Sequence, residues 1–300
     1  MNRLEEMQVY VRVAELASFT QAAHELGLSK ASVSGAIRTL ESSLGVRLLQ
    51  RTTRRVQMTV DGHAFYDRCR QVLAELDDLQ AMFQHDAAEL SGHLRVDMPI
   101  GFARNIVLPR LPELLHAHPR LTLDLSSTDR RVDIVKEGFD CTVRVGQLDD
   151  SALVARPLGS FAMINCASSA YVARHGVPDS PAALGSHRLV AYSPGLAGTR
   201  EARFEYVEAG KQHSITVPAA VAVNNTDSYQ AACLAGLGII QVPEVGVRDL
   251  LAQGKLVQLL HSYQAAPMPV TLLYPERRHI AKRVQRFMHW LAEITQPYVQ

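Results

Sequence analysis

The stretch Ser18 to Gly45, SFTQAAHELGLSKASVSGAIRTLESSLG, constrains the chain most. It reads as two short helices joined by one tight turn. Ser18 is a good N-cap, because its hydroxyl can accept an orphan backbone N–H, and Gln21 stands where a capping box closes. Ala22 and Ala23 are small enough for close helix approach, and Leu26 is expected to close the buried face. Gly27 supplies the left-handed backbone that ends the helix. Ser29 caps a second helix whose apolar residues Val33, Ile37, Leu40 and Leu44 are spaced four, three and four, a single buried stripe. Gly45 stops it. Two capped helices around a glycine turn form a supersecondary unit that can lay its second helix in the DNA major groove, although many such pairs are only packing units.

Charge favours the DNA reading. Between Gly27 and Val60 the basic residues are Lys30, Arg38, Arg47, Arg51, Arg54 and Arg55, and the only acid is Glu41. The stretch is therefore +5 in a chain of formal net charge +1, leaving −4 elsewhere. A local basic excess on a near-neutral protein is the footprint of a phosphate-binding face. The basic, Thr- and Val-containing RTTRRVQMT (Arg51 to Thr59) reads as a small β-wing.

These segments, SFTQAAHELGLS, VSGAIRTLESSLGVRLLQR and a wing ending MTVDG, together resemble the winged helix-turn-helix of LysR-type transcriptional regulators. The resemblance runs the length of the chain, through RVG at Arg144–Gly146 and AGLGIIQVP at Ala235–Pro243. Gly35 departs from it, standing where the family carries a large polar or basic residue facing the bases, and Ala36 is likewise small. The resemblance implies a winged head, a linker helix that pairs two subunits, and a periplasmic-binding-protein-like effector domain.

Other classes fare poorly. The longest uncharged apolar run, Ala231 to Ile240, is too short to span a bilayer. MNRLEEMQVYV is acidic and amphipathic, unlike a signal peptide, so no membrane association and a cytoplasmic location are expected. Cys69, Cys141, Cys166 and Cys233 lie far apart without a C-x-x-C pair, which suggests no metal site, no cofactor and no disulfide framework. The chain has twelve histidines but no H-E-x-x-H, and it lacks G-x-S-x-G, Walker and G-x-G-x-x-G patterns, so an enzyme is not expected. A redox sensor of the same family, reading oxidant through Cys141 or Cys166, is the alternative. Nothing basic near either thiol argues for a low pKa.

Leu4 to Leu16 reads as a first helix with Leu4, Met7, Val11 and Ala14 on one stripe. Thr59 is placed to cap a long helix from Val60 to about Glu89. Its Phe65, Cys69, Val72, Leu76, Leu79 and Phe83 form a heptad seam flanked by charge, favouring a dimer seam over packing on its own head. Pairing puts two reading heads on one two-fold axis, suited to an interrupted palindrome. The expected divisions are a winged head over 1–59, a linker helix over 60–90 and an effector-binding region over 91–300. That region divides into one lobe of 91–161 and 267–300 and a second of 162–266.

From His93 the pattern alternates: HLRVDMP a strand, ARNIVLPRLPELLHAHP a helix, LTLDLSS a strand, RRVDIVKEG a helix, DCTVRVG a strand. Alternation of this kind predicts a parallel sheet with ligands at its strand C-termini. A second alternation begins at FAMINCAS near Phe161 and runs to about Ala266. PVTLLYP and a helix from His279 to Ile294 return to the first lobe. The fold class is therefore multidomain, α+β and α/β, with two α/β lobes joined by two crossovers.

The cleft between the lobes is expected to be lined by Ile100, Gly101 and Phe102 ahead of Ala103, where free N–H groups suit an anion. Ser127, Thr128 and Arg144 follow from the same lobe, and Tyr192, Ser193, Asn225 and Thr226 from the second. Two readings stand for some of them. Ser127 and Thr128 either meet ligand or cap a helix beginning near Asp129, and Arg144 either clamps a carboxylate or forms an ion pair at the hinge. The effector expected is an organic or aromatic carboxylate.

For DNA the expected contacts are Lys30, Ser32 and Ser34 in the first turns of the recognition helix. Arg38 meets phosphate or pairs with Glu41 or Ser42. Arg51, Thr52, Arg54 and Arg55 of the wing meet backbone or minor groove. The partners expected are double-stranded promoter DNA, the effector, RNA polymerase if the protein activates, and copies of itself in a homodimer or homotetramer.

Overall fold

The computed structural model describes residues 1–51, 56–81, 90–130, 132–148, 153–193, 201–276 and 280–300, with backbone alone at 51, 71, 74, 75 and 77–81. The chain forms two compact units, Met1–Gly92 and His93–Gln300.

In the first unit, α1 (Arg3–Leu16), α2 (Phe19–Glu25) and α3 (Lys30–Leu44) precede a two-stranded antiparallel wing, β1 (Leu49–Arg51) and β2 (Val56–Met58), and then α4 (Val60–Ala81). The caps explain the boundaries. Ser18 accepts from the Gln21 N–H and Ser29 from the Ser32 N–H, while Gly45 takes the left-handed conformation. The reciprocal capping box forms at Asn2 and Glu5, one helix earlier than the sequence pointed to. Thr59 caps α4: its Oγ1 accepts from the Gly62 N–H at 2.9 Å and donates to the Arg47 carbonyl at 2.7 Å.

Packing corrects two of the stripes. α1 buries Val9, Tyr10 and Val13, with Met7, Val11 and Ala14 only flanking the core, because Tyr10 fills its centre and donates to the Gly62 carbonyl at 2.8 Å. Leu26 does not close the buried face: it is the C-cap residue of α2, turned outward to 37% exposure, and Phe19 fills that place. Gly62 is required by close approach, since a Cβ there would lie 2.1 Å from the Leu48 carbonyl oxygen.

The expected heptad seam also divides. Phe65, Tyr66 and Cys69 belong to the head's own core, whereas Val72, one turn on, is 42% exposed. The side chain of Leu79 and the whole of 82–89, with Phe83 and Glu89, lie outside the described residues.

The second unit holds a five-stranded sheet ordered β4-β3-β5-β13-β6, from β3 (Ser91–Met98), β4 (Arg120–Ser127), β5 (Cys141–Val145), β6 (Leu153–Phe161) and β13 (Met268–Pro275). The sheet is mixed rather than parallel. β3 and β5 run parallel, but β13 lies antiparallel to both β5 and β6. A strand returning from the other lobe is not delivered by a βαβ crossover, so nothing fixes it parallel to its neighbours. Against this sheet packs α11 (Lys282–Thr295), with Val284, Phe287, Met288, Leu291 and Ile294 buried; it runs to Thr295 rather than Ile294, and His279 lies outside the described residues.

Between β3 and β4 the chain is helical from Ile100, earlier than expected: α5 (Ile100–Phe102), a π turn (Ala103–Val107) and α6 (Leu108–Ala117). The expected helix over 130–138 is shorter, α7 (Ile134–Glu137), because Asp133 is its cap and accepts from the Lys136 N–H.

The chain crosses between the lobes at 161–163 and again between Leu259 and Met268. The second lobe carries β7 (Met163–Ser168), α8 (Ser169–His175), β8 (Leu189–Tyr192), β9 (Glu201–Glu208), β10 (Lys211–Val223), α9 (Thr226–Leu234), β11 (Ile240–Pro243), α10 (Arg248–Ala252) and β12 (Leu256–Leu259). β7 lies between β11 and β12, antiparallel to each; β10 runs parallel to β8 and antiparallel to β9. The β9–β10 hairpin departs from the expected helix–strand alternation; its turn places Ala209 and Gly210 both at positive φ.

Candidate functional site

In the first unit the expected recognition face is α3. Lys30 and Ser32 are exposed in its first turn and Arg38 is exposed further along. The Ser32 hydroxyl lies 2.8 Å from that of Ser29, within the cap, and Ser34 is half-buried. Ala36 is core at 4% exposure and so does not face the bases, whereas a side chain at Gly35 would meet nothing within 4 Å. Glu41, the one acid of the basic stretch, does not pair with Arg38. Its Oε1 accepts from the Leu48 and Leu49 N–H groups at 2.8 and 3.0 Å, anchoring the start of the wing. Arg38 is exposed, and among the described residues it forms no hydrogen bond or ion pair. Of the wing residues, Arg51 is placed in β1 by its backbone alone, and Thr52, Arg54 and Arg55 lie outside the described residues.

In the second unit, the ends of β3, β4 and β5 gather the polar groups. The Thr128 N–H donates to the Met98 carbonyl at 3.0 Å, joining the end of β4 to that of β3. Arg144, on β5, reaches Asp97 of β3: its Nη1 lies 2.8 Å from Asp97 Oδ2 and also donates to the Val143 carbonyl at 3.0 Å. Asp97 is fully buried and takes a further hydrogen bond from Thr142 Oγ1 at 3.3 Å. Of the two readings of Arg144, the ion pair is therefore the one formed. It uses one arm of the guanidinium only: Nη2 is buried with no hydrogen-bond partner.

The two lobes meet around Asp129. Its Oδ1 accepts from the Ile100 N–H at 3.0 Å and its Oδ2 from the Thr226 N–H at 2.5 Å. Ile100 opens the helical stretch of the first lobe and Thr226 opens α9 of the second, so one carboxylate joins two helix N-termini. Partial burial and then the Asp129 carboxylate push the Tyr192 phenol above its ordinary value, and Tyr192 packs edge-on against Tyr229 at 5.3 Å. Beside this contact Arg104 of the first lobe pairs with Asp227 at 2.5 Å and Gln230 at 2.8 Å of the second. Gly101 lies at this contact: a Cβ there would sit 3.6 Å from Thr226 Oγ1, an ordinary van der Waals distance.

Several expected ligand residues have other tasks. The Ile100 N–H is taken by Asp129. Phe102 is 3% exposed and packs on Phe161 at 6.2 Å, in the core rather than the cleft. Ser127 is exposed and Thr128 caps no helix; its hydroxyl accepts from the Arg130 N–H at 3.1 Å. Asn225 is the N-cap of α9, accepting from Ser228 at 2.8 Å. Gly101, Tyr192 and Thr226 do line the interlobe contact. Sequence reasoning missed Asp97, Arg104, Asp129 and Asp227, whose charged or interlobe partners lie far along the chain.

All four cysteines are buried. Burial pushes the Cys69 thiol up to about 11 and drives Cys141 higher; the Cys166 side chain and then burial raise Cys233. Among the described residues no group of three or more metal-ligating side chains gathers, and no helix is long and apolar enough to cross a membrane.

The family model for the LysR substrate binding domain matches residues 87–296, and that for the bacterial regulatory helix-turn-helix protein of the lysR family matches residues 4–63. The chain belongs to the LysR family of transcriptional regulators. It is 45% identical over 299 residues to the HTH-type transcriptional regulator YhjC of Escherichia coli strain K12, covering 100% of both chains. It is 37% identical to an HTH-type transcriptional repressor of Pseudomonas aeruginosa strain UCBPP-PA14, over 98% of this chain and 92% of the relative. Among solved structures it resembles CrgA, a LysR-type transcriptional regulator from Neisseria meningitidis, with a TM-score of 0.61 and 27% identity across 98% and 99% of the two chains. Members of this family bind DNA through the head and a small-molecule effector through the second unit, and they are not enzymes.

Proposed function

We propose that this LysR-type regulator binds promoter DNA through the face carrying Lys30, Ser34, Arg38 and the wing arginines Arg51, Arg54 and Arg55, and that an organic or aromatic carboxylate held between its lobes sets that binding. The observation that carries the carboxylate reading is the unshared arm of Arg144. With Nη1 held against Asp97, Nη2 remains buried without an acceptor, and a desolvated donor of that kind favours an anionic oxygen. Thr226 Oγ1 and Asn105 Nδ2, also buried without partners, flank Gly101 and offer further polar contacts. The effector shifts the population of lobe arrangements, which alters the spacing of the heads on DNA.

In this reading residues 60–90 serve as the linker through which subunits pair. Val72 is the exposed start of its seam, the assembly is a homodimer or a homotetramer of paired dimers, and the protein acts in the cytoplasm, meeting RNA polymerase where it activates.

Titration calorimetry of the full chain against a panel of organic carboxylates tests the effector. Binding of at least one member is expected, lost in Arg144→Lys, which keeps the charge toward Asp97 and removes the second arm. Binding unchanged in that variant removes Arg144 from the site. For DNA, Arg54→Ala is expected to weaken all duplexes alike and to lower the salt slope by about 1, whereas Ser34→Ala shifts preference at one base pair. A change of preference alone in Arg54→Ala contradicts these roles.

A further inference from the structure

The cleft already holds a carboxylate of its own. Asp129 sits between the lobes with each oxygen on a different lobe, Oδ1 on the Ile100 N–H and Oδ2 on the Thr226 N–H. Both N–H groups are first-turn donors that their helices leave unused. Asn225 caps α9 through the Ser228 N–H and so leaves the Thr226 donor to Asp129. The Ile100 stretch continues through a π turn into α6.

We propose that Asp129 is an internal competitor for the effector: it clamps the lobes together by occupying the carboxylate position, and an external carboxylate acts by exchanging with it at the same two N–H groups. The inference rests on the carboxylate reading of the cleft. Three observations support exchange rather than binding alongside. Two carboxylates side by side at these donors would repel, and Arg104, beside them, is engaged with Asp227. Asp129 belongs to the segment between Ser127, the end of β4, and Ile134, the start of α7, so it is held by a connection rather than by a sheet or helix. Its release breaks the Oδ2 bond to Thr226 across the lobes, beside the Tyr192 phenol and the Arg104 pair with Asp227, so exchange loosens the interlobe contact. An internal carboxylate acts at a high effective concentration, so external ligands bind more weakly than the site itself allows.

Formate is the probe, with chloride at equal ionic strength as control, and the readout is the thermal transition of the full chain followed by the fluorescence of Trp290, its single tryptophan. In Asp129→Gly the two donors are vacated, and formate is expected to raise the transition with a half-maximal concentration at least tenfold lower than in the wild-type chain. Equal response of the two proteins, or none in the variant, overturns the proposal, as does stabilisation of the wild type by methylammonium in place of formate. Asp129→Asn covers a failure of the glycine variant to fold: faster amide exchange is expected at both Ile100 and Thr226, and unchanged protection at either refutes the clamp. Because formate and amide exchange need no effector, failure here is distinct from failure of the carboxylate panel on Arg144→Lys.

Discussion

Removing the Arg144 side chain strands a buried charge. Asp97 is fully buried, and Arg144, with its side chain 15% exposed, supplies the ionic partner of Oδ2 at 2.8 Å. Breaking a buried pair from one side costs about 3–5 kcal/mol, because the remaining ion keeps its desolvation penalty without its attraction. The partial exposure of Arg144 places the expected loss for Arg144→Ala at the lower end, about 3 kcal/mol. For a domain of this size that lowers the thermal midpoint by roughly 6 °C or more. Trp290 is the chain's only tryptophan and packs against Phe287 in α11, so its fluorescence follows the effector-binding unit without contribution from the head. Replacing both partners, as in Asp97→Leu with Arg144→Met, is expected to recover much of the loss, and the double-mutant cycle isolates the pair. A stability loss for Arg144→Ala of less than about 0.5 kcal/mol, which is the usual range for surface changes, refutes the structural role of the pair.

Three other outcomes follow from the same structure. Gly62→Ala puts a Cβ 2.1 Å from the Leu48 carbonyl and is expected to unfold the head by more than about 2 kcal/mol in circular-dichroism melts while the Trp290 transition stays put; Gly35→Ala, with open space around it, is expected to stabilise α3 by up to about 1 kcal/mol. Burial and then the nearby His175 hold His187 below its ordinary value, so the fold binds it neutral. Its contribution to stability is then complete above the unfolded value near 6.5 and is lost as pH falls through the folded one, which urea midpoints and an NMR titration of the His187 ring check. All four thiols are expected to react with a thiol reagent only as fast as the chain opens, in native buffer and after peroxide alike; a rapidly labelled cysteine in the folded protein supports the redox alternative.

How much of this was legible in the sequence depended on how local the deciding contact is. Val33, Ile37 and Leu40 form one stripe with no rival, and Ser29 and Gly45 bracket it, so α3 could be read directly. α1 offered two adjacent stripes of similar spacing. The choice fell to Tyr10, whose partner Gly62 lies 52 residues away, a contact no window over α1 contains. The β9–β10 hairpin has a local signal, the alternation of Ala202, Phe204 and Tyr206 before Ala209-Gly210, but it interrupts the helix–strand alternation on either side of it. β13 reads as a strand from composition, but its antiparallel direction depends on a return from the other lobe. Asp129 was the least legible of all. Locally it looks like the start of a helix, and its two partners lie 29 and 97 residues away, on different lobes.

The central claim is that the basic face around α3 and the wing seats this chain on particular duplex DNA. Its most direct test is a fluorescence-anisotropy titration of the full chain against the duplex upstream of its own gene and a shuffled duplex of equal length, across a salt series. Affinity for the upstream duplex is expected to exceed that for the shuffled one by roughly a thousandfold or more, with log K falling linearly with log salt for both. Equal affinities at every salt concentration, or binding indifferent to salt, would contradict the account.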